Sequence, residues 1–282
     1  MRIIKRTKLR NTYYYLQHSF RKGKKIITKE KYLGKNIPKN IEIIKLQMQE
    51  AYKKELTKKL EIIKRNFQKE WKRYPKSIQQ KEKEEIALAF TYNTNAIEGS
   101  TITLEETREI VMENIAPNKS LRDIKETESH YKLFLKILDK EEKISIELIL
   151  EWHKLISQDT KADISGKFRD YIVSVANYRA PDWQDIDFLM HNFIDFLGKS
   201  KMNPAELAAR AHYKFEKIHP FGDGNGRLGR MIYNHILWHN KYPMLIIEYQ
   251  KRRSYYKALQ RDEDGFVKYF IRRYLSVHKK RL

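Results

Sequence analysis

His219-Pro220-Phe221-Gly222-Asp223-Gly224-Asn225-Gly226-Arg227-Leu228-Gly229-Arg230 joins two stretches, 204–217 and about 227–240, in which apolar residues recur at helical spacing. Gly222, Gly224 and Gly226 are three of only ten glycines in the chain, and they alternate just before a helix start. Such glycines let successive backbone N–H groups turn toward one anion, and the helix dipole adds to the attraction. Arg227 and Arg230 stand three apart in the first turn, so both guanidinium groups can fork onto phosphate oxygens from one side. Asp223 offers a hard oxygen suited to Mg²⁺ shared with those phosphates. His219, at the loop entrance, can accept a proton near neutral pH. Together these are the parts of phosphoryl or nucleotidyl transfer.

The dodecamer resembles the signature of the Fic (filamentation induced by cAMP) family, His-Pro-Phe-any-Asp/Glu-Gly-Asn-Gly-Arg-any-any-Arg. Every fixed position matches, and Gly222 takes the variable one. The likeness spans roughly residues 90–250, and the β-rich stretch 166–181 looks like the family's target-docking flap. The resemblance implies a mainly α fold: a helical-bundle core with a short β-hairpin flap, here preceded by a small N-terminal β-hairpin and a long helix. It implies transfer of AMP from ATP, with Mg²⁺, to a Ser, Thr or Tyr hydroxyl of a protein. Carried over by position, His219 would be the general base and Phe221 the anchor of the loop in the core. Asp223 would hold the metal ion. Gly224, Asn225 and Gly226 would form the anion hole, with Arg227 supporting the phosphates and Arg230 holding the γ-phosphate. The protein target would dock at the flap, about 166–183, by strand addition. Self-modification and a homodimer are further expectations from relatives of this type.

A second pattern, Thr94-Asn95-Ala96-Ile97-Glu98-Gly99, fits the family's inhibitory motif: Ser/Thr, three residues, Glu, then Gly or Asn. The resemblance implies that Thr94 and Glu98 are regulatory, with the Glu98 carboxylate competing with the γ-phosphate for Arg230. In some relatives the same glutamate positions a water for the reverse reaction, so de-AMPylation is the alternative within enzymes, and transfer of another phosphate-containing group such as UMP is a further one.

Outward from this core, residues 11–37 read as a β-hairpin turning at 21–25, since aromatic and β-branched clusters flank a glycine. Met48, Tyr52, Leu56, Leu60, Ile63, Phe67, Trp71 and Tyr74 form one apolar stripe on a long helix that Pro75 ends, a packing or dimer seam. Helices are expected over 79–97, closed by Gly99, and after a capping box at Thr103–Glu106 and N-caps at Ser120 and Ser145. The organisation expected is a basic hairpin segment (1–40), the long helix or linker (41–75), a core including the inhibitory helix (76–250) and a basic helical tail (251–282). His235 and His239 have metal-ligand spacing but lack the intervening Glu of a zinc protease, which favours packing. Tyr249, Tyr255 and Tyr256 suit an adenine pocket and packing equally.

The chain carries 58 Lys/Arg against 36 Asp/Glu, a net +22 in 282 residues. Residues 1–40 hold 13 basic side chains and one acid, whereas 91–247 hold 21 against 23. The excess therefore belongs to the ends, and it concerns association more than chemistry. Aromatics interleaved with Lys/Arg over 2–35 are compatible with nucleic-acid binding, so a nucleic-acid-binding regulator is the competing class. Zero cysteines exclude a disulfide scaffold, a thiolate zinc site and a cysteine nucleophile. No apolar run reaches the roughly 18 residues of a membrane span, and a cytoplasmic protein is the expectation.

Overall fold

The structure is a computed structural model and describes residues 1–22, 25–175 and 178–282. It divides between Ile62 and Ile63 into two compact units, and the boundary falls inside the long helix α1 (Ile41–Arg73).

The first unit contains an antiparallel sheet of three strands, β1 (Arg2–Lys8), β2 (Asn11–Lys22) and β3 (Lys25–Gly34), in that order. Register runs Ile4↔Tyr15 and Tyr15↔Tyr32, with a bulge between Tyr14 and Tyr15. The expected hairpin corresponds to β2 and β3, which pair as far as Lys22↔Lys25; its turn, Gly23-Lys24, lies outside the described residues. β1 is additional to that hairpin. Its connection to β2 is Leu9-Arg10, both at positive φ (47° and 61°). Such mirror-image turns ordinarily use Asn or Gly, so neither residue advertises the turn in the sequence. Leu16 is buried, His18 meets the Tyr52 ring edge-on at 5.2 Å, and Lys29 pairs with Glu55. One face of the sheet is therefore engaged with α1, and the strand period of two sends Tyr13, Tyr15 and Tyr32 to the opposite face.

The second unit is helical. Its elements are α2 (Lys76–Ile97), α3 (Leu104–Arg108), α4 (Leu121–Asp139), α5 (Ile146–Ser157), α6 (Ile186–Lys199), α7 (Pro204–Ile218), α8 (Asn225–His239), α9 (Arg252–Leu259) and α10 (Glu263–Val277). A two-stranded hairpin, β4 (Ser174–Val175) and β5 (Tyr178–Arg179), interrupts them. The caps read from the sequence are made. Thr103 and Glu106 exchange side chain-to-backbone bonds, and Ser120 and Ser145 accept from Asp123 and Leu148 N–H. α7 and α8 form the central pair, with Ala208, Ala209 and Ala211 on α7 fully buried so that neighbouring backbones approach closely. Phe90 of α2 stacks on Phe134 of α4 at 3.7 Å. The last turns of α1 also lie in this unit, where Phe67 and Trp71 surround Trp238 at 6.0 and 5.1 Å.

α10 carries a charged outer face and an apolar inner one. Phe266, Phe270 and Tyr274 are buried, and the Tyr274 hydroxyl donates to the Pro243 carbonyl. The basic C-terminal stretch is thus structurally part of the helical unit. His239 bonds the Ile137 carbonyl, and His235 packs against Trp152, so both imidazoles join helices. Among the described residues no helix is long and apolar enough to cross a membrane.

Candidate active site

α7 ends at His219, which takes the left-handed conformation (φ 51°) as the helix C-cap. α8 begins after Gly224, also left-handed (φ 80°), and only glycine holds that conformation without strain. Between them Phe221 is fully buried, stacked on His153 at 3.9 Å and leaning on Phe168 and Phe215. This is the hydrophobic anchor expected of it. The Asn225 side chain closes the loop from within, accepting from Phe221 N–H and donating to the Phe221 carbonyl. Its amide therefore shapes the loop, and what Asn225 can offer an anion is its backbone N–H. The N–H groups of Asn225, Gly226 and Arg227 open the helix and have no partner inside it, which leaves three aligned donors at a positive helix end.

His153 fixes the loop from α5. Its Nδ1 accepts from Gly166 N–H, so its Nε2 carries the proton and donates to the Asp223 carbonyl at 3.2 Å. Burial lowers its pKa to about 4, which keeps it neutral.

Asp223, Lys161, Glu126 and Arg227 form a compact four-charge cluster. Lys161 bonds the Asp223 carboxylate and lies 3.6 Å from Glu126, while Arg227 reaches Glu126 at 2.7 Å and Asp223 at 3.1 Å. Burial opposes ionisation of Asp223, but Arg227 and Lys161 outweigh it and hold its pKa at about 2. A cleft of about 370 Å³ opens here, lined by Glu98, Ser100, Arg122, Glu126, Lys161 and Asp223 among others. Lys161 and Glu126 carry no sequence signal. Each is an ordinary charged residue, and only the fold brings Lys161 across 62 positions to Asp223.

Arg230 is 1% exposed. Its Nε donates to Thr94 Oγ1 at 2.7 Å, and its Nη2 donates to Glu98 Oε1 at 2.6 Å and to the Thr94 carbonyl at 3.2 Å. Burial works against the guanidinium charge, and Glu98 more than restores it. Glu98 is aimed by the end of α2. Gly99 N–H bonds the Ala96 carbonyl and Ser100 N–H the Asn95 carbonyl, with Gly99 left-handed (φ 100°), a Schellman ending that sets Glu98 as the cap. A Cβ at Gly226 would run into the Glu98 carboxylate, so that carboxylate lies directly over the first turn of α8. The Tyr255 hydroxyl accepts from Arg230 Nη1 and hydrogen-bonds His212 Nε2, and the Tyr256 hydroxyl donates to the Ile97 carbonyl. Both tyrosines brace the Arg230 environment.

His219 is half-buried, and burial lowers its pKa. Its carbonyl accepts from Arg169 Nε at 2.9 Å, while Arg169 Nη1 and Nη2 donate to the Tyr171 and Pro181 carbonyls. One buried guanidinium thus ties the loop to both ends of the 166–181 segment, whose tip, Ala176-Asn177, lies outside the described residues. Arg169→Ala should leave three carbonyls unsatisfied and destabilise the protein by about 2–4 kcal/mol. Denaturant melts and protease cutting within 166–181 measure this. Arg169→Lys should not rescue it, because one ammonium cannot span three carbonyls as the planar fork does.

Glu216, one turn before His219 on α7, escaped the sequence reading. Its Oε1 is buried and, among the described residues, has no hydrogen-bond partner, and burial raises its pKa from 4.5 to about 7. The unfolded chain releases this proton first, so the group makes the fold less stable as pH rises from about 4.5 to about 7. Glu216→Gln should remove that slope and stabilise the protein at pH 8 by on the order of 2–3 kcal/mol. Unfolding free energies of the two proteins across pH 4–8 test it.

Residues 143–237 match the Fic/DOC family. That stretch is a Fic/DOC domain. Relatives named "Protein adenylyltransferase Fic" include one from Nematostella vectensis, 36% identical over 189 residues, covering 64% of this chain and 44% of the relative. Another, from Aedes aegypti, is 31% identical over 206 residues, covering 68% of this chain and 40% of the relative. The chain thus spans about two fifths of the length of the curated relatives it matches. Among solved structures, a Fic-domain signalling protein from Bacteroides thetaiotaomicron superposes with TM-score 0.67 at 25% identity, covering 79% of this chain and 96% of that one. Fic-1 from C. elegans superposes with TM-score 0.69 at 25% identity, covering 86% and 77%. The mainly helical Fic architecture with small antiparallel hairpins is the one expected from the sequence.

Proposed function

We propose that this Fic protein is a protein adenylyltransferase that moves AMP from ATP to a Ser, Thr or Tyr hydroxyl of a protein, held in check by Glu98. The observation that carries the reading is the Glu98–Arg230 ion pair set directly over a complete His219–Arg230 loop. The aligned N–H groups at the start of α8 bind the α- and β-phosphates, and Arg227 supports them. Arg230, once freed, takes the γ-phosphate and so orients the α-phosphorus for in-line attack. His219, kept neutral by burial, takes the proton of the attacking hydroxyl. The hydroxyl oxygen bonds to the α-phosphorus and the α–β bridge breaks, releasing pyrophosphate.

The donor set fits Mg²⁺. Asp223 is ionised at any physiological pH and faces the cleft, and Mg²⁺ characteristically takes one or two carboxylates with substrate phosphates and waters. When bound it would neutralise phosphate charge, and Asp223 would hold it after parting from Lys161. The target segment docks along the 166–183 flap, where Tyr171, Ile172 and Val175 are exposed.

The test is a pair of labelled nucleotides. Incubation with α-labelled ATP should leave label on protein, and γ-labelled ATP should leave none. Retained γ-label would make the enzyme a kinase and overturn the reading.

A further inference from the structure

The first unit is chemically unlike the Fic core. Residues 1–62 hold 18 Lys/Arg against 5 Asp/Glu, and the sheet face turned away from α1 carries three tyrosines. Tyr32 lies across from both Tyr13 and Tyr15, with ring centroids 6.2 and 5.3 Å apart and planes tilted by 48° and 51°. Tyr32 is 54% exposed, and Tyr13 and Tyr15 are half-exposed. The Arg6 guanidinium sits 4.9 Å over the Tyr15 ring. Glu30, the single acid of the first forty residues, bonds Arg6 and Gln17 and so holds the Arg6 fork in place beside the rings.

A soluble sheet gains nothing from leaving three rings on its open face among cations. Apolar partners would favour aliphatic side chains and fewer charges there. An acidic protein would use the cations and leave the rings without a role. Unpaired nucleobases use both: each base offers a π-face to a tyrosine, and each phosphate offers an anion to Arg or Lys. Bases paired in a duplex are already stacked on one another and present no free face to a tyrosine. We infer that the outer face of β1–β3 is a binding surface for single-stranded nucleic acid, with bases stacked on Tyr13, Tyr15 and Tyr32 and the backbone held by Arg6 and the neighbouring basic side chains. The inference is independent of the reaction at His219.

The experiment is fluorescence anisotropy of the full chain with labelled U12, labelled dT12 and a 12-base-pair duplex, between 50 and 300 mM salt. Single strands should bind in preference to the duplex, with affinity falling steeply as salt rises. Tyr32→Ala, at an exposed position that does not threaten folding, should weaken binding about tenfold, and Tyr32→Phe, which keeps the π-face, should bind as the wild type does. Arg6→Gln should shallow the salt slope by about 0.7. A preference for U12 or for dT12 identifies the strand, and either supports the surface. Absence of binding at 50 mM salt overturns the inference. So does duplex binding equal to single-strand binding, competition by polyglutamate equal to that by U12, or a Tyr32→Ala protein that binds like wild type.

Discussion

His219→Ala should lower AMP transfer by roughly 10²–10⁴-fold, the usual contribution of a positioned general base, while leaving the fold and ATP binding intact. The loop does not depend on the imidazole. His219 N–H still bonds the Phe215 carbonyl and its carbonyl still accepts from Arg169, and Phe221 and Asn225 hold the rest. Alanine and histidine bear a similar penalty in the left-handed conformation, about 1–2 kcal/mol, so the melting temperature should barely move. Burial lowers the His219 pKa, so the base remains unprotonated below the ordinary histidine range. The wild-type rate should accordingly stay flat as pH falls through 6.5 and drop only at lower pH. Single-turnover transfer from α-labelled ATP and calorimetric ATP titration measure the two halves. Transfer by the variant at the wild-type rate would sink the assignment of His219.

Glu98→Gly should act in the opposite direction and raise transfer, self-labelling included, by about tenfold to a hundredfold. The estimate follows from the roughly 1.5–3 kcal/mol that a hydrogen bond to a charged group contributes, converted to a population of free Arg230. The gain should be specific to the third phosphate. ATP affinity should rise, whereas ADP, which has nothing to offer Arg230, should bind as before. Without nucleotide the variant should be less stable by about 1–3 kcal/mol, because Arg230 is buried and keeps only its bonds to Thr94 and Tyr255. Saturating ATP should restore that stability. An equal gain for ADP and ATP would mean that Glu98 blocks access to the cleft and does not compete for Arg230.

The loop was legible because its chemistry constrains residue type at fixed spacing. Gly224 must be left-handed, Gly226 must leave room above the helix start, and Arg230 must follow one turn later. The end of α2 was legible for a similar reason, since Gly99 is the signature of the cap that aims Glu98. Lys161, Glu126, His153 and Arg169 were not. Their residue types are common, and their significance comes from distances across the fold to Asp223 or to main-chain carbonyls. Glu216 was hidden in the charged alternation of α7, where nothing local distinguishes a buried carboxyl from a solvated one. β1 was missed because Leu9-Arg10 makes a glycine-type turn without glycine. The C-terminal helices read as a basic tail because charge dominates their composition, while five buried aromatics, Tyr255, Phe266, Tyr269, Phe270 and Tyr274, decide their place.

The fork of Arg169 joins recognition to chemistry. Its three nitrogens hold the carbonyls of His219, Tyr171 and Pro181, so the 166–181 segment cannot shift without drawing on the main chain of His219. On the proposed reading, a target strand laid along the flap would stiffen the mount of the imidazole as well as deliver a hydroxyl to it. On the proposed reading, fidelity then resides in turnover more than in occupancy: an ill-fitting protein can sit on the flap and leave unmodified, because poor docking slackens the alignment on which proton removal depends.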